Sequence, residues 1–156
     1  MTDEAMTDRP DPPHEGGCQC GAVRYVVAGR PLTLYACHCR ECQQQSGSAF
    51  GMSLIVPLAG FAIEGPVESF RRTAASGNVS DCHYCARCGT RIFHARVGAD
   101  RAALKPGTLD RRDWLVPVAH IWTSEKQAWT VIRDGVLAVP GNPDMPRLFE
   151  LWAATT

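Results

Sequence analysis

Gly17-Cys18-Gln19-Cys20-Gly21-Ala22-Val23-Arg24-Tyr25-Val26-Val27-Ala28 sets two features end to end: a pair of cysteines one residue apart, then an alternating run. Val23, Tyr25 and Val27 fall on one face of a strand over residues 22–28, because successive side chains in extended backbone point to opposite sides. Two cysteines so close make a poor disulfide but a workable metal claw. A claw followed at once by a half-buried strand points to a small β domain held together by metal.

The rest of the chain repeats the strand half of that pattern. Residues 32–36, 50–56, 67–73, 91–97, 102–105 and 116–123 are further short β-runs, each bounded by Gly, Pro or Asn. Helical signal is confined to Arg40–Ser46 and to residues 145–152 after Pro143. The fold class expected is mainly β, an all-β sandwich or a curved-sheet fold, with one or two short helices. Residues 1–15, rich in Pro, Asp and Glu, are expected to be a disordered N-terminal tail, and residues 16–156 one zinc-binding domain.

Composition excludes several classes. Sixteen basic and 16 acidic side chains give a formal charge of zero, without the basic footprint of a nucleic-acid binder. No apolar run approaches the roughly 18 residues of a membrane span, and residues 1–15 lack an apolar signal region. A soluble, cytoplasmic domain is expected.

The eight cysteines lie at 18, 20, 37, 39, 42, 82, 85 and 88. Close clusters without an export signal read as metal ligands. Cys85-Ala86-Arg87-Cys88-Gly89 has the form of a zinc knuckle, in which glycine permits the tight turn. Cys18 and Cys20 are its natural partners in a four-sulfur structural zinc site, a redox dithiol of Cys85 and Cys88 being the alternative. Cys37, Cys39 and Cys42 can all reach one metal, leaving a fourth corner either for an exchangeable ligand or for Cys82, His38 or His83. Three thiolates donate strongly and make a zinc ion a weaker Lewis acid than three histidines would. Such a centre suits a soft incoming thiol, whose pKa the metal lowers. With two zinc ions and seven thiolates the holo chain carries a charge of about −3.

At these residues the sequence resembles the GFA family, the glutathione-dependent formaldehyde-activating enzymes, which include centromere protein V. The matching stretches are Gly17-Cys18-Gln19-Cys20-Gly21, Cys37-His38-Cys39-Arg40-Glu41-Cys42-Gln43-Gln44-Gln45-Ser46-Gly47-Ser48-Ala49-Phe50, and Cys85-Ala86-Arg87-Cys88-Gly89-Thr90. Further matches are Gly107-Thr108-Leu109-Asp110 and Pro117-Val118-Ala119-His120-Ile121-Trp122. The resemblance implies a β-tent (Mss-four-like) fold, curved antiparallel sheets stapled by zinc, with two zinc ions. Cys18, Cys20, Cys85 and Cys88 map to the structural zinc; Cys37, Cys39 and Cys42 map to the catalytic one. The implied activity is that of a carbon–sulfur lyase, S-(hydroxymethyl)glutathione synthase, whose partners are glutathione and formaldehyde. The alternatives from other classes are a non-catalytic zinc-stapled protein-binding module and a thiol-redox enzyme using Cys82.

Gln43, Ser46 and Phe50 just past the claw are candidates for a thiol pocket, against helix capping and core packing. His38 is read equally as a partner of sulfur or backbone and as a solvated side chain. Lys105 is expected to be solvated rather than to hold a glutathione carboxylate. His120 is expected to be a satisfied core histidine, and Arg71-Arg72 and Arg111-Arg112 to be exposed.

Overall fold

A computed structural model describes residues 8–155, which form two β-sheets and two α-helices. The first half of the chain runs β1 (His14–Gly17), β2 (Arg24–Val27), β3 (Thr33–Cys37), α1 (Arg40–Ser46), β4 (Gly51–Pro57) and β5 (Phe61–Glu64). Then come β6 (Val67–Thr73), β7 (Val79–Cys85), β8 (Arg91–Arg96) and β9 (Arg101–Leu104). The chain closes with β10 (Ala119–Ile121), β11 (Leu137–Ala138) and α2 (Met145–Ala154).

β1, β2 and β5 make a three-stranded antiparallel sheet, and the other eight strands lie in the order β11-β10-β3-β4-β9-β8-β7-β6. Alternation places Val23, Tyr25 and Val27 in the core at 0–2% exposure while Arg24 and Val26 face outward. They pack with Leu34, Leu54, Val56, Ile92, Leu104 and Trp152 in one hydrophobic cluster that includes Cys18 and Cys85. Each fully buried aliphatic side chain there stabilises the fold by about 1.5–3 kcal/mol. One claw of each half of the chain is thus seated in the core.

Three expectations are corrected. Residues 1–7 of the expected tail lie outside the described residues, but His14 and Glu15 belong to β1, paired with Val27 and Val26. His14 is buried because its ring stacks on Trp114. The large sheet is not purely antiparallel: β10 pairs in parallel with both β3 and β11. Strands β1, β5, β7 and β11 were not foreseen; β5 is four residues between turns and β7 (VSDCHYC) is too polar to read as a strand.

Candidate metal centres and the adjoining cleft

The first centre joins the β1–β2 connection to the end of β7. Cys18, Cys20, Cys85 and Cys88 bring their sulfurs within 4.8 Å of one another. The Cys18–Cys20 separation is 3.5 Å and the Cys20–Cys85 separation 3.8 Å. A zinc ion with four sulfurs at about 2.3 Å requires tetrahedral edges of about 3.8 Å, so the donor set fits. Gly21 (φ 79°) and Gly89 (φ 77°) take the left-handed backbone that turns each claw. The Val23 amide donates to Cys18 Sγ at 3.2 Å. The Gln19 amide donates to Thr90 Oγ1, so the Thr90 hydroxyl is free to give its proton to Cys88 Sγ at 3.1 Å. That hydroxyl first, then the Thr90 backbone amide, pulls the Cys88 thiol down to about 5.

The second centre is built where β3 runs into α1. Cys37 ends β3, Cys39 is the N-cap of α1, and Cys42 lies in its first turn. Their sulfurs are also within 4.8 Å of one another, and among the described residues no fourth His, Cys, Asp or Glu joins them. Closure by Cys82, His38 or His83 is therefore absent. Amides face the sulfurs here too: Cys42 N donates to Cys39 Sγ and Gln45 Nε2 to Cys42 Sγ, both at 3.4 Å. Hydrogen bonding from Cys37 and then Cys42 pulls the Cys39 thiol down to about 2, while the same sulfurs, Cys39 first, push Cys37 far up. Three sulfurs this close do not all ionise unless a cation enters, which is the donor chemistry of a metal centre.

This centre opens into a cleft of about 950 Å³, whose wall includes Tyr35, Ser53, Cys82, His94 and Arg96. Tyr35 lies two residues before Cys37 on the same face of β3, and burial pushes its phenol up to about 12. Glu41, between the two claw ligands of α1, pairs with Arg72 at 2.6 Å and accepts from the Ala75 amide at 3.3 Å. The turn between β6 and β7 is so fastened beside the cleft, and Arg72 is only part-exposed, contrary to expectation.

Gln43, Ser46 and Phe50 are not on the cleft wall. Gln43 is buried and donates to the carbonyls of His38 (2.8 Å) and Glu125 (3.0 Å), tying the claw to the chain after β10. The Ser46 hydroxyl donates to Cys42 O at 2.8 Å, and Phe50 packs against His38. His38 is fully buried and bonds through Nε2 to His120 Nδ1 at 2.8 Å, so it neither meets solvent nor faces sulfur. His120 is hydrogen-bonded through Nδ1, but it is half-buried and not the core histidine expected. Lys105 is mostly buried, and burial lowers its ammonium to about 8, which overturns the expectation of a solvated lysine. Tyr35, Ser53, Glu41, Arg72 and Arg96 were missed; the period-two spacing of Tyr35 and Cys37 was the one signal available.

Two all-sulfur donor sets, one of four and one of three, make this chain capable of holding two metal ions. The chain belongs to the GFA family, described as glutathione-dependent formaldehyde-activating enzyme, whose model matches residues 13–125 and so contains both sets. It is 31% identical over 87 residues to a protein of Halomonas elongata named "Putative glutathione-dependent formaldehyde-activating enzyme". That match covers 51% of this chain and 54% of the relative, so the chain spans about half the length of the curated relative it matches. A crystal structure of a Rhodobacter sphaeroides protein aligns with 80% of this chain and 98% of its own, at 14% identity and a TM-score of 0.49. No helix among the described residues is long and apolar enough to cross a membrane.

Proposed function

We propose that the chain is a zinc-dependent carbon–sulfur lyase of the GFA type, with a zinc-stapled β-tent fold, acting in the cytoplasm on a small thiol, glutathione in the first instance, and an aldehyde such as formaldehyde. The observation that carries this reading is the three-sulfur set of Cys37, Cys39 and Cys42, unclosed by a fourth His, Cys, Asp or Glu among the described residues and open to the cleft. Cys18, Cys20, Cys85 and Cys88 would hold the structural zinc, and Cys37, Cys39 and Cys42 the catalytic one. When bound there, zinc supplies a soft Lewis acid that lowers the pKa of an arriving thiol.

The chain's own residues hold the site in shape. The amides of Cys42 and Gln45 fix the sulfurs, Gln43 locks the claw to the loop behind it, and Tyr35 lines the cleft that the claw opens into. In the forward direction the substrate sulfur forms a bond to the carbonyl carbon and the carbonyl π-bond breaks. The resulting alkoxide takes up the proton the thiol gave up, so the reaction consumes no cofactor. In reverse the carbon–sulfur bond breaks and the aldehyde departs. Exchange NMR with labelled formaldehyde and glutathione tests this: the zinc-loaded protein should speed interconversion of free and adduct formaldehyde, and no acceleration over the buffer rate refutes it.

A further inference from the structure

The residue that follows β10 holds a backbone conformation its side chain disfavours. Trp122 has φ 53° and ψ 40°, and among the described residues no other non-glycine residue has a positive φ. Left-handed backbone crowds the Cβ of an L-residue against a neighbouring carbonyl oxygen, so a bulky aromatic there is a true outlier. Hydrogen bonds on both sides impose it. Before Trp122, Ile121 pairs with Cys37 and accepts from the His38 amide at 3.0 Å. The Trp122 amide itself reaches Gly141 O at 3.2 Å, and Thr123 N reaches Val139 O at 3.0 Å. Strained backbone persists where its surroundings over-determine it in this way, and such residues gather at ligand sites. Glycine would accept the same hydrogen bonds and the same φ without strain, so the chain path does not explain the indole.

Trp122 is half-buried and lines the cleft together with Cys37, Cys39 and Cys42. Its indole N–H is unspent. The other three tryptophans of the chain each give that proton to a protein oxygen: Trp114 to Arg111 O at 3.0 Å, Trp129 to Gln127 Oε1 at 2.7 Å and Trp152 to Pro31 O at 3.0 Å. Even Trp129, at 70% exposure, does so. Among the described residues no acceptor meets Trp122 Nε1. Glu125, the acid nearest along the chain, accepts from the Arg40 amide instead. Nor is that nitrogen sealed in the interior, as the unmet nitrogens of Arg91 and His94 are. A tryptophan that keeps one face against protein and an open N–H suits contact with a partly polar ligand.

We propose that Trp122 is a ligand-binding residue of this cleft, held left-handed so that its indole stands beside the three-sulfur centre and donates its N–H to a carbonyl or carboxylate oxygen of the thiol bound there. The proposal rests on the thiol-binding reading above and adds to it a second point of attachment, which makes Trp122 a determinant of thiol choice. Glutathione, with amide carbonyls and carboxylates, offers such an oxygen. Ethanethiol offers none and gains nothing from Trp122.

Two spectra test this without catalysis. In nitrogen-15-labelled, zinc-loaded protein, the indole N–H signal that is missing from Trp122→Phe should shift downfield with glutathione and stay in place with ethanethiol. In cobalt(II)-loaded protein, thiolate ligation changes the metal's absorption. There Trp122→Phe, which keeps the ring and loses the donor, should raise the half-saturating concentration of glutathione about fivefold and leave that of ethanethiol unchanged. A merely structural role would move both thiols alike. An indole signal that stays in place while glutathione changes the cobalt spectrum overturns the proposal and leaves thiol binding standing. A signal that shifts while neither thiol changes the cobalt spectrum sustains the Trp122 contact and refutes thiol binding at the metal. The backbone is read separately: Trp122→Gly should melt about 2–4 °C above Trp122→Ala, because alanine keeps the left-handed strain and glycine does not. Alanine melting at or above glycine overturns the strained setting on which the proposal stands.

Discussion

Removing one sulfur from each claw of the first centre should cost about as much stability as truncating a large core side chain, about 3–5 kcal/mol. Cys20 is exposed and Cys88 half-buried, so Cys20→Ser with Cys88→Ser leaves the packed sulfurs of Cys18 and Cys85 in the core and takes away the metal clip. The clip joins positions 65 apart in sequence. The chain-entropy relation for a cross-link of that span gives about 4 kcal/mol from the unfolded state alone. At about 2–4 °C per kcal/mol for a chain of this size, the melting temperature should fall by about 8–16 °C. Differential scanning calorimetry of zinc-loaded protein under reductant, with zinc counted by mass spectrometry, reads both quantities. A double variant that has lost one zinc per chain yet melts within about 3 °C of the parent refutes the assignment of this centre as the staple.

Three further outcomes are expected. Cys39→Ser should release the other zinc and abolish formaldehyde exchange, yet cost only about 2 kcal/mol of cross-link entropy, since its ligands span six residues; calorimetry and metal counting check this together. Gln43→Ala leaves the His38 and Glu125 carbonyls without their donor, which should cost about 1–3 kcal/mol in denaturant titrations and speed amide exchange over residues 123–127. Burial first, then Lys105, holds His94 down at about 3, so the fold favours its neutral form. Its contribution is present above the unfolded value of about 6.5 and is lost as pH falls below that. Urea midpoints should show His94→Gln losing less stability than the parent between pH 6.5 and 5, by up to about 1.5 kcal/mol.

Local features of this molecule were legible because local chemistry decides them. β6 and α1 run over the residues expected of them, since Thr73 and Ser46 each precede turn residues, and Val23, Tyr25 and Val27 are buried as their alternation required. Both sulfur clusters were legible from spacing, because a metal-binding turn is a local object. The cleft was not. Its wall depends on β9 lying between β4 and β8, an adjacency no run of residues announces. Lys105 reads as a surface lysine until β8 and α1 are placed around it. Gln43 and Phe50 were rightly located near the claw, but which way a side chain turns from a two-turn helix is set by what packs behind it, here the chain after β10.

The parallel pairing of β3 with β10 has a consequence for biosynthesis. Cys37 is opposite Ile121, so the strand that aims the three-sulfur claw gains its outer neighbour only after most of the chain has left the ribosome. At ordinary elongation rates that is a delay of several seconds, during which the three thiols stand unshielded on an unfinished edge. An ion reaching the chain in that interval would meet the trio before β10 covers the outer edge of β3.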